Sequence, residues 1–194
     1  MAAAPPSDAR DVATLCKCVA RGARPKFVFF WSHRAPRQGG VAASCLSQWY
    51  PAPFTLAGDR YPTAEHFMMA EKARIFGDEK AAGRILAAKA PGHAKRLGRE
   101  VRGFDEAVWV ERRFEVAVTG NLAKFGGNPA LCEFLLGTSR RVLVEASPTD
   151  RIWGIGLEAN DPAAANPSRW RGENLLGFAL MEARARLAAS GGSP

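Results

Sequence analysis

Glu65 and Lys72 have the types and the spacing to act together. Seven positions apart on a helix is two turns at 3.6 residues per turn, so the two project from one side, about 10 Å apart along the axis, and a long lysine closes most of that gap. Met68 and Met69 lie between them. An acid and an amine bordering an apolar pocket undergo pKa shifts and exert strong fields; read alone, the same pair is more often a solvated helix face. A second group follows a prospective strand: Asp150 and Trp153 stand on a loop containing Gly154 and Gly156, where glycines let a ligand approach the backbone and a tryptophan either stacks on it or packs in the core. Other chemistries lack their spacings. His33, His66 and His93 are scattered, Cys16-Lys17-Cys18 has no matching second pair for zinc, and Cys132 beside Leu131 and Phe134 reads as a packed thiol. Gly154-Ile155-Gly156 lacks the third glycine of a dinucleotide fingerprint, and no Gly-x-x-x-x-Gly-Lys phosphate loop is present.

The elements that must carry these residues are legible from capping and periodicity. Thr63 caps a helix over 64–76 with Glu65 in its first turn; Asp78 caps a second helix reaching Ala88, and Pro91 opens a third through Arg99. After the cap Asp105, the apolar stripe Val110, Phe114, Ala117, Val118, Leu122 and Phe125 predicts the central helix, and a short helix spans 130–136 before Gly137. The last helix, about 174–188, aligns Leu176, Leu180, Ala183 and Leu187. Phe27 to Trp31 predicts a buried strand, 141–146 a second one, and Phe54-Thr55-Leu56 returning through Arg60-Tyr61 a hairpin; 158–171 reads as a surface loop. The sum is an α+β chain: a compact, predominantly helical single domain over 26–189 with a small β component. Residues 1–25 read as a weakly ordered extension, within which 12–19 can make a short helix, and 190–194 as a flexible tail.

Composition sets the bounds. The chain has 194 residues, 47% hydrophobic and 24% charged, enough for one real core. No apolar run reaches the about 18 residues that suggest a membrane span, and Met1 to Pro6 lacks the pattern of a secretory signal, so a cytoplasmic location is expected. Four irregularly spaced cysteines read as reduced thiols. With 27 Lys and Arg against 19 Asp and Glu the net charge is +8, which attracts phosphates or nucleic acid, although the arginines are spread along the chain without a dense basic tract.

Six blocks in order, from about Phe27 to Leu187, resemble the NADAR, or YbiA-like, family. They are Ser47-Gln48-Trp49-Tyr50-Pro51; Tyr61-Pro62-Thr63-Ala64-Glu65-His66-Phe67 leading to Glu71-Lys72-Ala73; Trp109 with Arg112 and Arg113; Leu122-Ala123-Lys124-Phe125; the stretch from Leu143 to Gly156 through Glu145, Ser147-Pro148-Thr149-Asp150 and Trp153; and Gly172-Glu173-Asn174-Leu175-Leu176-Gly177 before Leu180-Met181. The sequence departs from the pattern at Gln48-Trp49, where Asn-Phe is usual, at Phe67-Met68-Met69-Ala70-Glu71, where an aromatic-Gln stretch is usual, and at Thr138-Ser139, where Thr-Gly is customary.

The resemblance implies an N-glycosidase and overturns the bland reading of Glu65 and Lys72. Its substrate is either a phosphoribosyl-amine intermediate of riboflavin synthesis, here favoured, or ADP-ribose on guanine bases of nucleic acid; a non-catalytic module binding ADP-ribose or a related nucleotide is the alternative outside enzymes. Carbon–nitrogen cleavage builds positive charge on the sugar, which a carboxylate in a dry pocket stabilises. The resemblance gives Glu65 that part or the activation of water, Lys72 a possible Schiff base, and Asp150 the positioning of ribose hydroxyls or the amine. Trp49, Trp109 and Trp153 are expected to line the pocket with Gly154 and Gly156, and Lys124 and Asn174 to make polar or phosphate contacts, unless Lys124 ends a solvated helix and Asn174 caps one. No metal or organic cofactor is implied.

Overall fold

The computed structural model describes residues 5–191. Its elements are α1 (Val12–Ala20), β1 (Phe27–Phe30), β2 (Phe54–Leu56), β3 (Asp59–Tyr61), α2 (Ala64–Ile75), α3 (Glu79–Leu86), α4 (Pro91–Arg99), α5 (Glu106–Gly126), α6 (Pro129–Gly137), β4 (Val142–Glu145) and α7 (Leu175–Ala189). This is the expected α+β domain: helices dominate, β1 and β4 pair in parallel with Phe27 opposite Val142, and β2 and β3 form the hairpin. Ala57 and Gly58 both take positive φ at its turn, as a twist-matched two-residue connection requires.

The caps act as their residue types dictate. Thr63, Asp78 and Asp105 each accept a backbone N–H of the first turn of α2, α3 and α5, satisfying donors that a helix start leaves free. Three apolar clusters result. One surrounds the parallel strands with α6 and α7; another joins the hairpin to α2, α3 and α4; a small third joins Ala117 and Val118 of α5 to Ala179 of α7, and Trp153 packs against all three.

Several expectations need correction. Val110 is exposed and the inward face of α5 starts from Trp109 and Arg113, because the residues that face α2 and α7 are set by those neighbours, not by the widest apolar stripe. Trp31 lies beyond β1 and is exposed. Part of the expected weakly ordered extension is built into the domain: α1 buries Leu15, Ala9 joins the core, and Arg10 pairs with Glu182 of α7. The loop 158–171 buries Ala163, Ala164 and Pro167, and the Trp170 indole N–H donates to the Ala164 carbonyl. Residues 1–4 of the extension and 192–194 of the expected tail lie outside the described residues. Among the described residues no helix is long and apolar enough to cross a membrane.

Candidate active site

The start of α2 is almost wholly inside the protein. From Ala64 to Ala70 every residue is buried, so every face of the first turns is covered and the acid is largely shielded from water. His66 is a tether: its Nε2 donates to the Ala88 carbonyl at 3.1 Å, leaving Nδ1 to accept from the Thr63 hydroxyl at 2.8 Å. Glu65 donates its backbone N–H to the Gln48 carbonyl at 3.0 Å, strapping the loop 47–49 over the helix start. Its side chain is 3% exposed. Its Oε1 has no hydrogen-bond partner. Burial pushes this acid up to about 7, with the charge of Asp150 adding to the rise and Lys95, Trp49 and Arg99 opposing it.

The opposite wall comes from the end of β4 and the loop that follows. Asp150 Oδ1 accepts the backbone N–H groups of Ile152 and Trp153 at 3.0 and 2.8 Å, so the acid folds its own loop and Oδ2 is not used in that turn. Asn174 sits at φ 53; its Nδ2 donates to the Leu143 carbonyl and its Oδ1 accepts from the Glu145 N–H, both at 2.9 Å. That amide clamps α7 to β4 and fixes Glu145. Burial pushes the Glu145 acid up to about 8, helped by Asp150 and Glu65 and opposed by Lys95.

Between these walls lies an open cavity of about 720 Å³. Glu65, Glu106, Glu145 and Asp150 supply its acids; Trp49, Trp109, Trp153, Met68, Met69 and Phe104 much of its apolar surface; Lys72, Lys95, Arg99, Arg113 and Arg151 its cations. Lys72 Nζ stands 3.9 Å from the Phe104 ring centroid and 5.8 Å from that of Trp109, and burial lowers its pKa, with Glu106 raising and Arg99 lowering it. Arg113 donates to Glu173 at 2.9 Å, whereas Lys95, Arg99 and Arg151 form no salt bridge among the described residues. Gln48 Nε2 is a further buried atom without a partner, and buried polar atoms without partners are rare enough in folded proteins to mark places a ligand can satisfy.

Six of the ten expected site residues therefore meet: Glu65, Lys72, Asp150, Trp49, Trp109 and Trp153 all line the cavity. Four do not. Lys124 is fully buried and donates to the carbonyls of Cys45 and Ser47 at 2.6 and 2.8 Å; it holds the loop that carries Trp49 and is neither a phosphate contact nor a solvated helix end. Asn174 is the clamp just described, and makes no side-chain cap. Gly154 lets strand and loop touch, since a Cβ there would sit 2.8 Å from the Glu145 carbonyl oxygen; Gly156 takes φ +67 against Arg171. The sequence reading missed Glu145, whose available signal was a carboxylate inside the apolar run Val142-Leu143-Val144-Glu145-Ala146. It also missed the cation cluster, whose members come from α4, α5 and a distant loop and show no common motif. Among the described residues no group of three or more His, Cys, Asp or Glu could hold a metal ion.

Comparison with known proteins accords with this arrangement. The NADAR domain matches residues 29–188. The N-glycosidase R617 of Acanthamoeba polyphaga mimivirus is 42% identical over 165 residues, covering 82% of this chain and 95% of that protein. The riboflavin biosynthesis protein PYRR, chloroplastic, of Zea mays is 35% identical over 136 residues, which span 66% of this chain and 20% of the maize protein. The NMR structure of the Escherichia coli protein YbiA superposes with a TM-score of 0.69 at 27% identity, covering 87% of this chain and 88% of that one. On a family match that spans the sheet, the hairpin and every cavity wall, the chain belongs to the NADAR family.

Proposed function

We propose that the cavity hydrolyses the bond between ribose C1′ and an amine nitrogen in a phosphoribosyl-amine of the riboflavin-synthesis type. The chain is a hydrolase of N-glycosyl bonds, in keeping with its family and with relatives named N-glycosidases. The observation that carries the reading is Glu65, an almost fully buried carboxylate at the cavity wall with a free Oε1, facing apolar rings and a set of cations.

In the reaction the C1′–N bond lengthens and the sugar gains oxocarbenium character. An anion held in a site with little water stabilises that cation far more than it would in bulk solvent, and the stabilisation exists only once charge develops. Water then attacks C1′ and passes its proton to Glu65. Asp150, with one oxygen committed to its own turn, orients the ribose hydroxyls through the other. Lys95, Arg99 and Arg151, which form no salt bridge among the described residues, take the phosphate. Trp49 and Trp153 cover the leaving heterocycle.

The cavity volume lies within the about 300–1,000 Å³ typical of small-ligand clefts, which favours a phosphoribosyl-amine over a polynucleotide. The relative named for riboflavin biosynthesis supports the same choice. Incubation with phosphoribosyl-amines, ADP-ribosylated guanine oligonucleotides and free ADP-ribose, monitoring released amine or base, tests it. Release from the first alone is expected. Release from the oligonucleotide alone would reassign the substrate, and binding of ADP-ribose without any release would make the chain a binding module.

A further inference from the structure

Two different carboxylates of the cavity each carry a buried oxygen without a hydrogen-bond partner: Glu65 Oε1 and Glu145 Oε2. They come from opposite walls, α2 and β4. An anionic pair left bare inside a protein is costly, and the economical state holds one proton between the two.

The backbone of Glu145 is held on both sides. Its backbone N–H donates to Asn174 Oδ1 and its carbonyl accepts the Ile155 N–H, both at 2.9 Å. The strand residues before it, Val142 to Val144, are buried. A group held this firmly at a cavity wall, with an unsatisfied polar atom, is placed to meet a ligand atom of opposite hydrogen-bonding character.

We propose that Glu145 is a second catalytic carboxyl, entering the reaction protonated and delivering its proton to the amine nitrogen as the C1′–N bond breaks. This rests on the N-glycosidase reading above. The electron pair of the breaking bond goes to nitrogen, which takes the Glu145 proton and departs as a neutral amine. Water oxygen bonds to C1′, and the proton it loses goes to Glu65. The cycle closes when solvent, admitted as products leave, removes the proton from Glu65 and restores one to Glu145. Without the acid the nitrogen would have to leave as an amide anion, a much poorer leaving group.

The electrostatic surroundings suit the division. The charges acting on Glu145 are those of Asp150 and Glu65, which favour its neutral form, and Lys95, which opposes it. Lys72, Arg99, Arg113, Arg151 and Glu106 complete the charged groups bordering the same space. Burial raises both acids, and a charge on Glu65 raises Glu145 further, so an ionised Glu65 favours the neutral form of Glu145.

The test uses N-aryl-ribosylamine 5-phosphates whose leaving amines span a range of basicity, with kcat/KM followed against pH for the native chain and Glu145→Gln. The native enzyme should lose kcat/KM on the alkaline side as this proton is released, and should depend weakly on the leaving amine. Glu145→Gln should lose about 10²–10⁴-fold, lack the alkaline limb and depend steeply on amine basicity. An equal loss across the series with the limb retained would mark Glu145 as structural and overturn the assignment. If the variant does not fold, the native profile decides by itself, since a rate that stays level through the alkaline range leaves no proton for Glu145 to give. A native chain that releases amine from no member of the series would instead refute the N-glycosidase reading itself.

Discussion

Replacing Glu65 by Gln should abolish turnover and, at the same time, stabilise the fold, by an amount that depends on pH. Burial lifts the folded-state acid from 4.5 to about 7, which corresponds to about 3 kcal/mol at about 1.4 kcal/mol per pKa unit. Between those two values the unfolded chain has released the proton and the folded chain still holds it. The folded state therefore binds more protons across that interval, and stability falls as pH rises from 4.5 to about 7. Below the interval both states are protonated and nothing is lost; above it the full cost is present. Gln has no charge to bury. The variant should match the native chain near pH 4 and exceed it near pH 8 by up to about 3 kcal/mol, or about 6–12 °C in Tm for a domain of this size. Urea or thermal denaturation at the two pH values reads this, and amine release measured alongside should fall at least about 10²-fold. A Gln variant less stable than the native chain at pH 8, or equally stabilised at both pH values, would refute the claim that Glu65 is a desolvated acid poised for a cation.

Three other outcomes are expected. Lys72, with its ammonium over Phe104 and its pKa lowered by burial, has more free amine near neutrality than a surface lysine; borohydride added during turnover should leave a ribose-phosphate adduct on Lys72 by mass spectrometry, and its absence would exclude an imine there. Lys124→Met should cost about 1–3 kcal/mol in urea denaturation, because the carbonyls of Cys45 and Ser47 lose their donor in a dry interior, and should reduce turnover through displacement of Trp49. Gly177→Ala should destabilise by about 1–3 kcal/mol or more, since an added Cβ would collide with the Leu143 carbonyl and the Asn174 amide; a normal melting curve would show that α7 can retreat from β4.

The local steps of the fold were written in local residues. Thr63, Asp78, Asp105 and Pro91 mark helix starts because a side-chain acceptor or a missing N–H acts within one turn, and α2, α3, α5 and α4 begin where those residues say. The hairpin was legible in the same way from Phe54-Thr55-Leu56 returning through Arg60-Tyr61. Glu65 and Lys72 were legible as a pair because seven residues of helix fix their relative direction whatever surrounds them.

What the helix could not fix was whether that face meets water or a cavity. That depends on the loop 47–49, the end of β4 and α5 arriving from 17 to 80 positions away, and only packing brings them together. The same dependence decided the fates of Lys124 and Glu145. Both are charged residues in apolar runs; the sequence marked the first as a ligand contact and passed over the second. Buried carbonyls beside Lys124 satisfy its side-chain nitrogen and make it a brace, whereas Glu145 ends its strand at the cavity wall with a buried oxygen that has no hydrogen-bond partner. Whether a buried charge is spent on structure or left free for chemistry is settled by its partners, and partners are a property of the tertiary fold.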